Sequence, residues 1–183
     1  MENNTQLKEM IRSMVIDILQ GQKQEMASSQ PIKQAPRGQV EPGVFDTVDE
    51  AIQAAKAAQA RFEDCTLATR EKVIADIRAA MRPRVQELAQ KTVDETGMGR
   101  VADKVLKLNL TLDKTPGVED LVTECETVDN GMTLYELSAY GVIGAITPST
   151  NPAETLICNT IGMLAAGNAV FFSVHPGAKH LSR

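Results

Sequence analysis

Two short polar segments, Thr147-Pro-Ser-Thr-Asn-Pro152 and Ser173-Val-His-Pro-Gly177, each close an almost unbroken apolar run, AYGVIGAI at 139–146 and AVFFSV at 169–174. The hydroxyls of Thr147, Ser149 and Thr150, set beside the free N–H groups of a helix start, are donors suited to a phosphate or a developing oxyanion. The Asn151 carboxamide adds a neutral donor of the kind that stabilises a carbonyl oxygen as it gains charge. The same residue types are also preferred helix N-caps, so capping alone is the competing account. In the second segment His175 is a candidate ligand contact, or else a loop histidine held by its own backbone.

Other reactive residues offer less. Cys65, Cys125 and Cys158 are widely spaced with no CxxC pair, as in reduced thiols of a cytosolic protein. Cys158 falls among Leu156, Ile157 and Ile161 and reads as a small buried hydrophobe. His175 and His180 lack a companion Cys or Glu cluster, so no metal site is expected. Glu95-Thr-Gly-Met-Gly-Arg100 is a turn whose two glycines admit left-handed backbone. Neither polar segment is followed by GxGxxG, so the ordinary Rossmann fingerprint is missing.

The elements that must position these residues form an α/β pattern. Thr47-Val-Asp-Glu50 has the capping-box form and opens a helix with Val48, Ala51, Ile52, Ala55 and Phe62 on one face. A second helix from about Leu67 carries Val73, Ile74, Ile77 and Met81. Pro83 interrupts it and suits the start of a third, with Val85, Leu88, Ala89 and Thr92 inward and Gly97 as its stop. A fourth spans about 100–113. Asp129-Asn130-Gly131 predicts a two-residue hairpin turn, because Asn-Gly tolerates positive φ. The run 139–146 predicts a strand buried on both faces, Ala153–Ala166 a helix closed by Gly167, and 169–174 a second buried strand. Such a β-α-β unit implies a parallel sheet, with ligands beyond the carboxyl ends of its strands.

Ahead of this body, Leu7, Met10, Ile11, Met14, Val15, Ile18 and Leu19 predict a short amphipathic helix within residues 1–20. Residues 21–43, rich in Gln, Gly, Pro and Ser, predict a flexible linker. Residues 44–183 form the predicted globular part. A chain of 183 residues with 43% hydrophobic content can build a core, although aromatics supply only 3%. Its formal net charge of -5 argues against nucleic-acid binding, and no stretch approaches a membrane span in length.

The strings ETGMGR (95–100), KTPGVEDL (114–121), YGVIGAITPSTNP (140–152) and GNAVFFSVHPGAK (167–179) resemble, in order, the CoA-acylating aldehyde dehydrogenases of ethanolamine- and propanediol-type bacterial microcompartments. The resemblance implies the N-terminal part of the aldehyde dehydrogenase fold, a helical layer plus a partial NAD-binding domain, with an oligomerisation-type hairpin near 121–138. It also implies NAD-dependent oxidation of acetaldehyde or propionaldehyde to acyl-CoA, with coenzyme A as co-substrate, by a homo-oligomer. In that family the nucleophilic cysteine lies beyond residue 183, so the catalytic domain is absent and this chain alone is expected to be inactive.

Carried over by position, Asn151 becomes the oxyanion-side residue, although non-acylating relatives place their Asn where this chain has Thr150. Thr147, Pro148 and Ser149 then line the nicotinamide-ribose side of the cofactor cleft, with Thr150 beside them. Ser173 and Pro176 stand where non-acylating relatives hold the adenosine ribose with Lys and Glu, and His175 with Pro176 borders the adenine. Residues 5–20 resemble an encapsulation peptide that docks on shell or cargo proteins, which implies the bacterial cytoplasm, inside a microcompartment. The rival placement packs that helix on its own subunit. A non-catalytic targeting and interaction module, and a nicotinamide-binding regulator without chemistry, are the competing functions.

Overall fold

The computed structural model describes residues 42–183. The predicted helix within 1–20 and all of the predicted linker except residues 42 and 43 lie outside them. Helix α1 (Val48–Phe62) opens with the capping box expected from its sequence: the Thr47 hydroxyl accepts from the Glu50 N–H, and the Glu50 carboxylate accepts from the Thr47 N–H. Helix α2 (Leu67–Met81) is capped by Thr66 and runs through a short 3-10 turn at Arg82–Arg84, which contains Pro83, into α3 (Val85–Thr96). Gly97 ends α3 with φ 66, and Gly99 takes φ 80 before α4 (Val101–Lys114) begins. The two glycines thus supply the left-handed backbone that turns α4 back along α3.

Strands β1 (Glu124–Val128) and β2 (Gly131–Tyr135) form an antiparallel hairpin, with Val128 opposite Gly131. The turn closes at Asp129-Asn130 as predicted, but by another backbone route. Neither residue has positive φ, and Gly131 is not among the positive-φ glycines. Strand β3 (Val142–Ile146), helix α5 (Pro152–Ala165) and strand β4 (Ala169–Ser173) form the β-α-β unit, and β3 pairs parallel with β4 from Val142↔Ala169 to Ile146↔Ser173.

The core is built where α2, α3, α4 and α5 meet, around Ile74, Ala89, Leu108, Leu112, Ile157 and Ile161. The predicted inward face of α3 is realised, with Val85, Ala89 and Thr92 buried and Leu88 packed against the core. Three expectations fail. Neither β3 nor β4 is the buried strand expected: Ala145 is the one buried residue of β3, whose Ile146 is 85% exposed, and Ala169 is the one buried residue of β4, because among the described residues each strand pairs with the other alone. Val48 lies outside the buried face of α1: at the first helical position it borders the open cavity between the start of α1 and β4. Cys158 is exposed, since it falls between the buried positions Ile157 and Ile161 and so projects away from their face of α5.

The return from α5 to β4 passes through Gly167 at φ 81, and a Cβ there would stand 2.7 Å from the Arg70 guanidinium. Gly167→Ala is therefore expected to cost about 1–2 kcal/mol in backbone conformation and to displace Arg70 as well. Thermal denaturation should show a midpoint lower by about 2–8 °C. An unchanged midpoint would refute this account of the turn.

Candidate functional site

A parallel pair sends both strands out on the same side, and here the backbone N–H of Thr147 donates to the Ser173 carbonyl at 3.1 Å. The two polar segments singled out by sequence therefore leave the sheet as neighbours. Thr147 is 1% exposed, and its hydroxyl oxygen is buried without a hydrogen-bond partner among the described residues. Pro148 and Thr150 are exposed and Ser149 is half-buried.

Asn151 is the N-cap of α5, with Pro152 as the first helical residue, yet its carboxamide makes no capping bond. The Asn151 Oδ1 instead accepts from Lys104 Nζ and Lys107 Nζ, each at 3.2 Å. Lys104 Nζ also donates to the Thr150 carbonyl and stands 3.6 Å from Glu154 Oε1. Both members of that ion pair are buried, and neither Glu154 oxygen has a hydrogen-bond partner among the described residues. Around this cluster lie two cavities. One, of about 540 Å³, is lined by Gly99, Arg100, Lys104, Lys107, Thr150 and Asn151; the other, of about 350 Å³, by Lys107, Asn151, Glu154, Thr155 and Cys158 among others.

The structure divides the remaining predicted residues. Ser173 opens instead on a cavity of about 610 Å³ bordered by residues 43–48 and by α1. His175 is exposed, and its Nδ1 accepts from the Gly177 N–H at 3.0 Å, so the histidine is held by its own turn. Pro176 starts the 3-10 turn Pro176–Ala178. Among the described residues no group of three or more His, Cys, Asp or Glu side chains could hold a metal ion.

Sequence reasoning missed Lys104 and Glu154. A signal was present: Lys104 shares the four-residue spacing of Leu108 and Leu112, so it occupies a core position on α4. It also missed Glu95, whose carboxylate accepts from the backbone N–H groups of His180 and Leu181 at 2.9 and 2.6 Å. These bonds pin the chain that follows His175 to the end of α3.

Residues 18–179 match the sequence model of the aldehyde dehydrogenase family, and the chain belongs to that family. Acylating members are among its relatives. It is 46% identical over 180 residues to the propanal dehydrogenase (CoA-propanoylating) of Salmonella typhimurium, covering 98% of this chain and 37% of that enzyme. It is 48% identical over 143 residues to an acetylating acetaldehyde dehydrogenase of Escherichia coli, covering 78% of this chain and 30% of that one. Among solved structures it superposes with a TM-score of 0.74 on a propionaldehyde dehydrogenase from the Clostridium phytofermentans fucose utilisation bacterial microcompartment, at 51% identity, covering 78% of this chain and 33% of that one. The Rhodopseudomonas palustris propionaldehyde dehydrogenase with bound propionyl-CoA gives the same TM-score of 0.74 at 44% identity, covering 84% and 35%. The chain spans just over a third of the length of the curated propanal dehydrogenases it matches.

Desolvation raises the Glu95 pKa, but the hydrogen bonds from His180 and Leu181 outweigh it and hold the carboxyl below its ordinary value. A carboxylate with a lowered folded-state pKa contributes stability above its unfolded pKa, about 4.3, and loses it as pH falls through the lower folded value. Acid titration followed by amide hydrogen exchange should therefore loosen residues 176–182 below about pH 4. Glu95→Gln should remove that pH dependence; an unaltered acid profile in the variant would show that another group sets it.

Proposed function

We propose that the chain provides the cofactor-side wall of an NAD-dependent, CoA-acylating aldehyde dehydrogenase acting on acetaldehyde or propionaldehyde. The observation that carries this reading is the Thr147–Pro152 segment at the carboxyl end of β3, adjacent to Ser173, in a chain 46% identical to a CoA-propanoylating enzyme over 180 residues. The balanced reaction is aldehyde plus CoA thiol plus NAD⁺ giving acyl-CoA, NADH and a proton.

The residues present suit NAD. Thr147 keeps a buried hydroxyl at the strand end that has no partner among the described residues, and a ligand hydroxyl or amide would satisfy it. Bound there, NAD supplies the two-electron acceptor. Thr147, Pro148, Ser149 and Thr150 would border its nicotinamide-ribose side. Ser173, His175 and Pro176 would border the adenosine side, with His175 already oriented by Gly177. Asn151 would donate from Nδ2 to the carbonyl oxygen of the aldehyde as negative charge develops on it.

None of the chain's own cysteines is assigned as nucleophile. Cys65 is half-buried, Cys125 is exposed on the hairpin, and Cys158 is exposed on α5, at the cavity that Lys107 and Asn151 also line. The assignment of regions follows: residues 1–20 address the enzyme, 21–43 link, and 44–183 build part of the NAD-binding domain, with the 121–138 hairpin as a subunit contact. The strands of that hairpin expose Val128, Met132 and Leu134, apolar residues suited to a contact between copies in a homo-oligomer. A non-catalytic targeting module is less favoured, because the matching relatives are named as enzymes across the same residues.

Two experiments test this function. The 183-residue chain should form no acyl-CoA from propanal, CoA and NAD. A chimera joining residues 1–179 to the C-terminal two thirds of the Salmonella typhimurium propanal dehydrogenase should form it. In that chimera Asn151→Ala should lower kcat by about 10²–10³-fold, and a chimera that folds, binds NAD and yet makes no propionyl-CoA counts against the proposal.

The short amphipathic stripe at Leu7–Leu19 supports microcompartment docking through residues 5–20, with the helix laid in a groove of a shell or cargo protein. A fluorescent protein carrying residues 1–20 should co-purify with shells in a microcompartment-forming bacterium. Diffuse fluorescence throughout the cytoplasm would rule that role out.

A further inference from the structure

An ammonium buried at 4% exposure on an apolar helix face is an expensive feature, because its desolvation must be offset by well-placed acceptors. Leu108 and Leu112 continue the same stripe of α4 at 0% exposure, so a methionine or leucine at 104 would extend the core without that cost. What the ammonium engages is not its own helix. It donates to the Thr150 carbonyl and the Asn151 carboxamide, 46 and 47 residues away, and it faces Glu154 at 3.6 Å. All three belong to the segment that leaves β3 and starts α5. The stem also runs close past the 98–100 turn, where glycine leaves it room: a Cβ at Gly99 would stand 3.3 Å from Lys104 Cε.

The carboxamide of Asn151 is thereby oriented. Lys104 and Lys107 both approach one end of the group at 3.2 Å, and an ammonium has donors but no acceptor. That end must be the oxygen. The Nδ2 group, a donor, is left on the opposite side, and no acceptor among the described residues engages it. Glu154 holds the ammonium in place from the first turn of α5, so the cation is fixed from both ends of the segment.

The geometry points to Lys104 as a positioning residue: it fixes the Thr150–Asn151 peptide and presets the Asn151 amide with its N–H donors outward. This deepens the proposed oxyanion role of Asn151 and rests on it for its catalytic meaning, whereas the positioning itself stands on the contacts of Lys104 with Thr150, Asn151 and Glu154. Lys107, exposed and bound to the same oxygen, is an auxiliary contact.

The test is nuclear magnetic resonance on the 183-residue chain without ligand, so its outcome is separate from any assay of aldehyde oxidation. In the native chain the Asn151 side-chain amide should be as ordered as rigid backbone, with an order parameter of about 0.85. In Lys104→Met it should fall below about 0.6 while the α5 backbone stays ordered, and Lys104→Arg should restore much of the order. Leu112→Ala, which loosens the same helix without touching the segment, should leave the Asn151 amide unchanged; that comparison separates positioning from general destabilisation. If Lys104→Met does not fold, the native chain still decides. The Lys104 NH₃⁺ protons should exchange far more slowly than those of exposed Lys72 and Lys91 and show coupling across the bond to the Thr150 carbonyl. An Asn151 amide that is mobile in the native chain, or equally ordered in Lys104→Met, overturns the proposal, as does Lys104 exchange as fast as that of the exposed lysines.

Discussion

Parallel pairing of β3 with β4 is the constraint on which the rest of the described structure depends. Two parallel strands cannot be joined by a tight turn; the chain must travel back along the sheet, and α5, fourteen residues long, is that return path. The consequence is geometric. Both strands end on the same side, so Thr147 meets Ser173 and the start of α5 is carried to the end of β3. Register is held by complementary size, since Gly144 lies opposite Phe171 and a Cβ at 144 would come within 2.8 Å of the ring. A one-residue slip would place the ring against a side chain and break the alignment that brings the two polar segments together.

The helical layer supplies what the sheet cannot. Polar segments at strand ends have no ladder partners, and a loop of Thr, Ser and Asn can satisfy its groups in several conformations. Helix α4 removes that freedom by sending one ammonium into the segment, while its leucines anchor the helix in the core beside Ile157 and Ile161 of α5. Apolar packing sets where α4 lies, and the buried charge converts that placement into the conformation of residues 150 and 151. Each depends on the other, because an ammonium shifted by the width of one turn would be buried without acceptors.

Much of this was legible in the sequence, for identifiable reasons. The face of α3 carrying Val85, Ala89 and Thr92 follows from a 3.6-residue period, the start of α1 from a capping box, and the end of α3 from a glycine that tolerates φ 66. Each is a local rule acting within a few residues. Failures came where a residue's surroundings are set by distant chain. The apolar run at 139–146 reads as doubly buried, but burial needs neighbours on both sides, and Ile146 has too few. Cys158 sits between two buried isoleucines in sequence and on another side of the helix in space. Lys104 was missed because lysine is read as a solvent-facing residue, although its spacing with Leu108 and Leu112 marks a core position. Of the site, the polar segments themselves were legible; the partner that orients Asn151 lies 47 residues away and was not.

The far end of the crossover shows why the N-terminal layer belongs to the same device. The last carbonyls of a helix have no intrahelical donor and must find one elsewhere. At the end of α5 the Gly162, Met163 and Leu164 carbonyls accept from the backbone N–H groups of Ala166, Asn168 and Gly167, and side chains of the helical layer reach what is left: Arg70 the Ala165 carbonyl at 3.4 Å, and Gln59 Nε2 the Gly167 carbonyl at 3.0 Å. Asn168 completes the turn, accepting from the Gly141 N–H at 3.0 Å and donating to the Met163 carbonyl. Gly141 immediately precedes β3, so this contact fixes where β3 begins relative to where β4 begins. Five residues of parallel register then carry that alignment to Ile146 and Ser173 at the opposite end. The separation of the two polar segments is thus set a strand's length away, by groups that touch neither of them.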